Sequence, residues 1–215
     1  MDKGMSNLLA WSIENSQNGQ AQNPDATAAP TQPGYKGEAP RGLNEADIRA
    51  LMGGPSDADL LKEAMHVIVN PQSTLDAKMI AFDNFEQLIE NLDNAQNLQI
   101  LGLWTPLLDQ LNATEASLRK MAAWCVGTAV QNNEKCQHQL LSEGGVSRIA
   151  RMAVEDDDDA ARRKAVYALS STVRNFQPGM DEAMKTLPKN ITGPDSVNAA
   201  DMDVIDAIME KLREG

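Results

Sequence analysis

"RKMAAWCVGTAVQNN" (residues 119–133) and "RRKAVYALSSTVRNF" (162–176) lie one upon the other without gaps. Arg119 meets Arg162, Ala122 meets Ala165, Trp124 meets Tyr167, Val126 meets Leu169, Val130 meets Val173 and Asn132 meets Asn175, an offset of 43 residues. The same offset sets Gly102 against Gly145, Leu103 against Val146 and Leu111 against Val154, while an offset near 41 brings "AKMIAFDNFEQLIEN" (77–91) onto residues 118–132. Apolar side chains recur in these stretches at a spacing of about 3.6, so each is one copy of a long amphipathic helix.

A period of roughly 40 to 47 residues built from two or three helices belongs to armadillo and HEAT solenoids, where each unit buries its apolar face by stacking on its neighbours. The expected fold is all-α: a right-handed α-solenoid of about three armadillo-like repeats over residues 43–180, capped by helices before residue 70 and after residue 195. Composition agrees, because hydrophobic residues make up 42% and aromatics only 4%, with Ala, Leu, Met and Ile favouring helix over strand. "SDADLLKEAMHVIV" opens on Ser56 with Asp59 three positions on, a capping box with Asp in place of Glu. Residues 5–17, "MSNLLAWSIENSQ", form a short amphipathic segment, and 18–42 carry prolines at 24, 30, 33 and 40 among small polar residues, a linker composition. After "QPGMDEAMKTLPKNITGP" the repeat fades, and residues 181–215 are expected as an extension ending in one helix, "AADMDVIDAIMEKLR".

A formal charge of −12 disfavours phosphate backbones and anionic lipid surfaces, so neither nucleic acid nor membrane is an expected partner. Two cysteines, Cys125 and Cys136, with no secretory signal before them, fit a reduced cytoplasmic chain, expected as a monomer. Asp156 to Asp159 lack the alternating ligands and turn glycine of a calcium loop and are read as a solvated loop at a helix start. Cys136 and His138 lack further ligands at zinc spacing. No phosphate loop or nucleophile motif is present, so neither catalysis nor a cofactor is expected.

Polar residues cluster where the long helices end: "ENLDNA" (90–95), "VQNN" (130–133) and "VRNF" (173–176). Asp93, Asn94 and Asn133 are expected to cap the helices that follow. In an armadillo stack the last helix of each repeat lines a groove, so Glu90, Asn91, Asp93, Asn94, Ala95, Gln131, Asn132, Arg174 and Asn175 form a candidate ladder for a partner. Within it Ala95 would admit a partner backbone, and the Arg174 fork would meet a partner carboxylate. Trp124, Tyr167 and Trp104 are read as core. Trp11, with Leu8 and Leu9, cannot be buried by its own short helix and is a candidate recognition element.

"LLAWSIENSQ" (8–17), "MIAFDNFEQLIENLDNAQNL" (79–98), "LWTPLL" (103–108), "GTAVQNN" (127–133) and "KAVYALSSTVRN" (164–175) resemble the fungal Fes and animal heat-shock-binding-protein family of armadillo-type nucleotide exchange factors for 70-kDa heat-shock chaperones. The resemblance implies a cytosolic cochaperone that grips the chaperone's ATPase domain and promotes ADP release, with the N-terminal segment helping to free bound polypeptide. The resemblance does not extend to contacts made through later repeats, because the pattern fades here. The alternative is an armadillo receptor for basic peptides or another protein-binding scaffold. Such receptors resemble a ladder of Trp with Asn four residues on, whereas here Thr128 follows Trp124 and Ser171 follows Tyr167 at that spacing.

Overall fold

The computed structural model describes residues 55–193 and 196–214. The expected N-terminal segment, the linker, the "NEADIRALM" helix and Leu8, Leu9 and Trp11 lie outside the described residues. Ser56–Gly215 forms one compact unit, and its described residues are helical with no strand. In chain order the helices are α1 (Asp57–Val69), α2 (Leu75–Ile89), α3 (Leu92–Asn97), α4 (Trp104–Asp109) with a 3₁₀ turn at Gln110–Asn112, α5 (Ala116–Val130), α6 (Glu134–Ser142), α7 (Gly145–Glu155), α8 (Asp159–Val173), α9 (Gln177–Thr186), α10 (Lys189–Thr192) and α11 (Met202–Glu214).

The caps show why the helices start where they do. Ser56 Oγ accepts from the Asp59 N–H at 3.2 Å and donates to the Asp59 carboxylate at 2.8 Å, so the expected serine–aspartate box opens α1. Thr74, Asn133 and Asp158 accept the corresponding amides of α2, α6 and α8. The cap of α3 departs from expectation: Asn91 takes the Asp93 and Asn94 amides, while the Asn94 side chain donates backward to the Leu88 carbonyl at 2.9 Å and to Asp57 at 2.8 Å. Asp93 and Asn94 lie inside the first turn, two and three positions past the cap.

α2, α5, α8 and α11 pack in that order to make one row, and α4, the 3₁₀ turn, α7 and α9 pack behind them. The contact of α5 with α8 is the broadest in the fold. The two helices bury Ala122, Ala123, Ala129, Ala161, Ala165 and Ala168, small side chains that let helix backbones approach their neighbours closely. This explains how a chain so poor in aromatics fills its core. The 43-residue repeat is also geometric. Arg119 donates to the Ala113 carbonyl at 3.0 Å and Arg162 to the Asp156 carbonyl at 2.9 Å, donors and acceptors each displaced by 43. Asn132 and Asn175 both sit in the left-handed region, at φ 53° and 56°, where Asn is tolerated better than most residues.

Two readings need correction. The spacing does not end with the sequence likeness: α9 begins 43 residues after α6, and α11 begins 43 after α8. The middle helix of this last unit shrinks to the four residues of α10, and α11 takes the next place in the row by packing on α8. Trp124 and Tyr167 are half-buried, not core, because among the described residues no helix covers the outer stripe of the row. Trp104 is core: its indole N–H donates to Gln139 at 2.9 Å, and Gln139 in turn donates to the Gln96 carbonyl at 3.0 Å. Among the described residues no helix is long and apolar enough to cross a membrane.

Candidate partner-binding surface

Along α5 and its end the accessible positions run Lys120, Trp124, Thr128 and Gln131, a stripe at three- and four-residue spacing opposite the buried Ala122, Val126 and Ala129. The neighbouring helices add Asp83, Gln87 and Glu90 from α2 and its end, and Lys164, Tyr167, Ser171 and Arg174 from α8 and its end. Cross-helix bonds fix this face. Thr128 donates to the buried Glu86 carboxylate at 2.8 Å, and the Tyr167 hydroxyl donates to Gln131 at 3.1 Å. The Lys164 ammonium stands 3.8 Å from the Trp124 ring centroid and 5.5 Å from that of Tyr167. Gly127 makes room for this arrangement, since a Cβ there would come within 2.4 Å of the Tyr167 ring.

A cleft of about 480 Å³ opens between the ends of α5 and α8. Gln131, Asn132, Arg174 and Asn175 from the candidate ladder line it, with Glu134, Gln137, Tyr167, Ser170 and Ser171. Its floor is held by Gln137, which donates to the Ser171 and Thr172 carbonyls at 3.0 and 3.1 Å. Glu90, Asn91 and Asp93 are exposed at the equivalent end of α2, one repeat earlier, and are not part of this cleft.

Two ladder residues do not have the surroundings expected of them. Ala95 is 1% exposed, packed in the core, so it cannot offer a close approach to a partner backbone. It falls on the inner side of α3 because Asn91, not Asp93, begins that helix. Arg174 is not an unoccupied fork: its Nε donates to Ser170 at 2.9 Å, Nη1 to the Met202 sulfur at 3.4 Å and Nη2 to Asp206, with which it also forms an ion pair. Nothing in the sequence signalled the partners on α11, because their helix lies beyond the recognisable repeat. The Trp124–Lys164–Tyr167 cluster was missed for another reason. Its aromatic pairing is visible in the sequence, but what places it outside the core is the polar stripe of Lys120, Thr128 and Gln131 that shares its helix face.

The aspartate loop is also more than solvated charge. Asp156, 4% exposed in its side chain, receives Arg119 Nε at 2.7 Å and Nη2 at 2.8 Å, and accepts the Asp158 amide at 2.9 Å. Burial opposes ionisation of Asp156, yet these hydrogen bonds and the charges of Arg119 and Arg162 hold it below the usual carboxylate range. Burial pushes both thiols up, Cys136 to about 12 and Cys125 well above its ordinary value, so both stay protonated and poorly nucleophilic. Among the described residues no group of three or more His, Cys, Asp or Glu side chains is arranged to hold a metal ion.

Comparison with known proteins adds to this geometry. A family model described as nucleotide exchange factor Fes1 matches residues 5–98, and the SIL1/FES1/HPBP1 C-terminal domain matches 94–186. The Hsp70 nucleotide exchange factor FES1 of Coccidioides immitis is 52% identical over 219 residues, covering 100% of this chain and 99% of the relative. That of Gibberella zeae is 51% identical, covering 99% and 97%, and the Neurospora crassa protein of the same description is 43% identical, covering 99% and 98%. Among solved structures, the crystal structure of an engineered protein matches with TM-score 0.53 at 13% identity over 78% of this chain and 69% of that one, a likeness of fold alone.

Proposed function

The chain belongs to the Fes1 family of nucleotide exchange factors, and from that membership we propose that it grips the ATPase domain of a 70-kDa heat-shock chaperone with the outer stripe of α2, α5 and α8 and the cleft between α5 and α8. It is an Hsp70 nucleotide-exchange cochaperone. The action needs no bond-making residue. Binding favours an ATPase-domain conformation that holds ADP poorly, and the free energy of that preference is the coupling between the two ligands. We place it in the cytosol, read Ser56 onward as an armadillo-type stack, and assign Leu8, Leu9 and Trp11 to the release of polypeptide from the chaperone.

The observation that carries the site assignment is the convergence of Gln131, Asn132, Arg174 and Asn175 on one cleft at the ends of successive third helices. The test is exchange by variants that block it from the outside. Gln131→Arg, in the cleft, and Glu90→Arg, at the equivalent end of α2, place new bulk or reversed charge on exposed positions. Each should slow ADP release at sub-saturating concentration by about tenfold, the order of one lost charged or well-packed contact, with melting unchanged. Wild-type rates from both would put the contact elsewhere on the chain.

A further inference from the structure

Lys164 is a costly residue for this fold. Its ammonium lies over Trp124 at 3.8 Å, half-buried, and among the described residues neither Lys164 nor Lys120 is within ion-pair distance of a carboxylate. Burial and the nearby Lys120 charge both act against the protonated form and, despite the opposing pull of Glu86, leave the Lys164 pKa below its ordinary value. A neutral side chain of the same length would cover Trp124 without desolvating a charge or facing a second ammonium. The chain carries 31 acidic residues against 19 basic ones, yet no carboxylate lies within ion-pair range of these two lysines among the described residues. Tyr167 is meanwhile held in place beside Lys164 by the room Gly127 leaves and by its hydrogen bond to Gln131.

We propose that Lys164, set over Trp124, and the neighbouring Lys120 receive a carboxylate from an acidic side chain of the bound ATPase domain, while Trp124 and Tyr167 pack against the apolar stem of the same segment. The proposal rests on the chaperone-binding reading above and names the chemistry at its centre. A carboxylate entering from the partner relieves the like-charge repulsion and restores the solvation that Lys164 gives up. The ring faces add contact area with little side-chain freedom to lose.

The experiment measures, by calorimetry at low and moderate salt, the affinity of the full chain for an isolated chaperone ATPase domain, alongside thermal melting of each variant. Lys164→Met should melt at or above the wild-type temperature and bind on the order of 10- to 100-fold more weakly, with a shallower salt dependence. Lys164→Arg should stay within about threefold of wild type, because it keeps the charge over the ring. Lys164→Glu should bind more weakly still. If the wild-type chain binds and exchanges ADP while Lys164→Met and Lys164→Glu keep wild-type affinity, this inference is overturned and the exchange function stands. A wild-type chain that does not bind the ATPase domain overturns both.

Discussion

Replacing Arg119 by Ala removes one partner of a shielded ion pair and leaves the other in place. The Asp156 side chain is 4% exposed and that of Arg119 18%, and the guanidinium satisfies both carboxylate oxygens, at 2.7 and 2.8 Å, together with the carbonyls of Ala113 and Thr114. Breaking such a pair from one side costs about 3 to 5 kcal/mol, and the partly accessible Arg119 sets the value near the lower end, about 3 kcal/mol. For a folded unit of this size that corresponds to roughly 6 to 12 °C of melting temperature. The exposed pair of Arg148 with Asp109, at 3.0 Å, is the internal comparison, since Arg148→Ala should cost at most about 1 kcal/mol. The pH dependence supplies a sign. In the wild type the Asp156 pKa is lowered on folding, so its contribution is present above the ordinary carboxylate value and fades as pH falls through the folded one. In Arg119→Ala burial loses its largest counterweight, with the Asp158 amide and the Arg162 charge left, so the Asp156 pKa should lie above its wild-type folded value. The gap between variant and wild type should therefore narrow as pH falls from 7 to 4 in calorimetric melts. A loss under about 2 °C, or a gap that widens on acidification, would refute the reasoning.

Ala95→Arg forces a long charged side chain into the core beneath α3 and should lower the melting temperature by several degrees, so any loss of exchange in that variant would reflect folding before docking; a normal melt would contradict the burial of Ala95. Trp104→Phe keeps an aromatic side chain but removes the N–H-bearing ring and leaves Gln139 without its buried donor, a cost of at least about 1 to 3 kcal/mol readable by urea titration. Gly127→Ala drives a methyl to within 2.4 Å of the Tyr167 ring and 3.1 Å of the Ala168 backbone, which should cost about 1 to 3 kcal/mol. The same variant should bind the ATPase domain more weakly, because Tyr167 must leave its place beside Gln131.

The alternation of small and large residues in "RKMAAWCVGTAVQNN" and its copy carried the architecture, because stacking units must reuse the same buried positions. The pairing of Asn132 with Asn175 likewise corresponded to one backbone state, the left-handed residue that follows α5 and α8. The reading stopped at α11, where packing on α8 demands only an apolar face from Ile205, Ile208, Met209 and Leu212, a pattern many sequences satisfy without visible likeness. Trp124 was misjudged because its Ala and Val neighbours suggest burial, although on a helix sequence neighbours point elsewhere and the residues four before and after, Lys120 and Thr128, are the ones that share its face. Ala95 was misjudged by the position of a cap. Moving the start of α3 from Asp93 to Asn91 rotates every later residue and turns Ala95 inward. The carboxylates that hold Arg119 and Arg174 lie 37 and 32 residues away, beyond the reach of any local pattern.

Release of a fluorescent ADP analogue from the 70-kDa chaperone, followed by stopped flow with and without this chain, addresses the account at its centre. Release should accelerate with concentration to a plateau, and saturating ADP should weaken binding of the chain to the ATPase domain by the factor through which the chain weakens ADP, on the order of 5- to 150-fold for a coupling of about 1 to 3 kcal/mol. Unchanged release at concentrations that saturate binding, or an affinity for the ATPase domain indifferent to ADP, would contradict it.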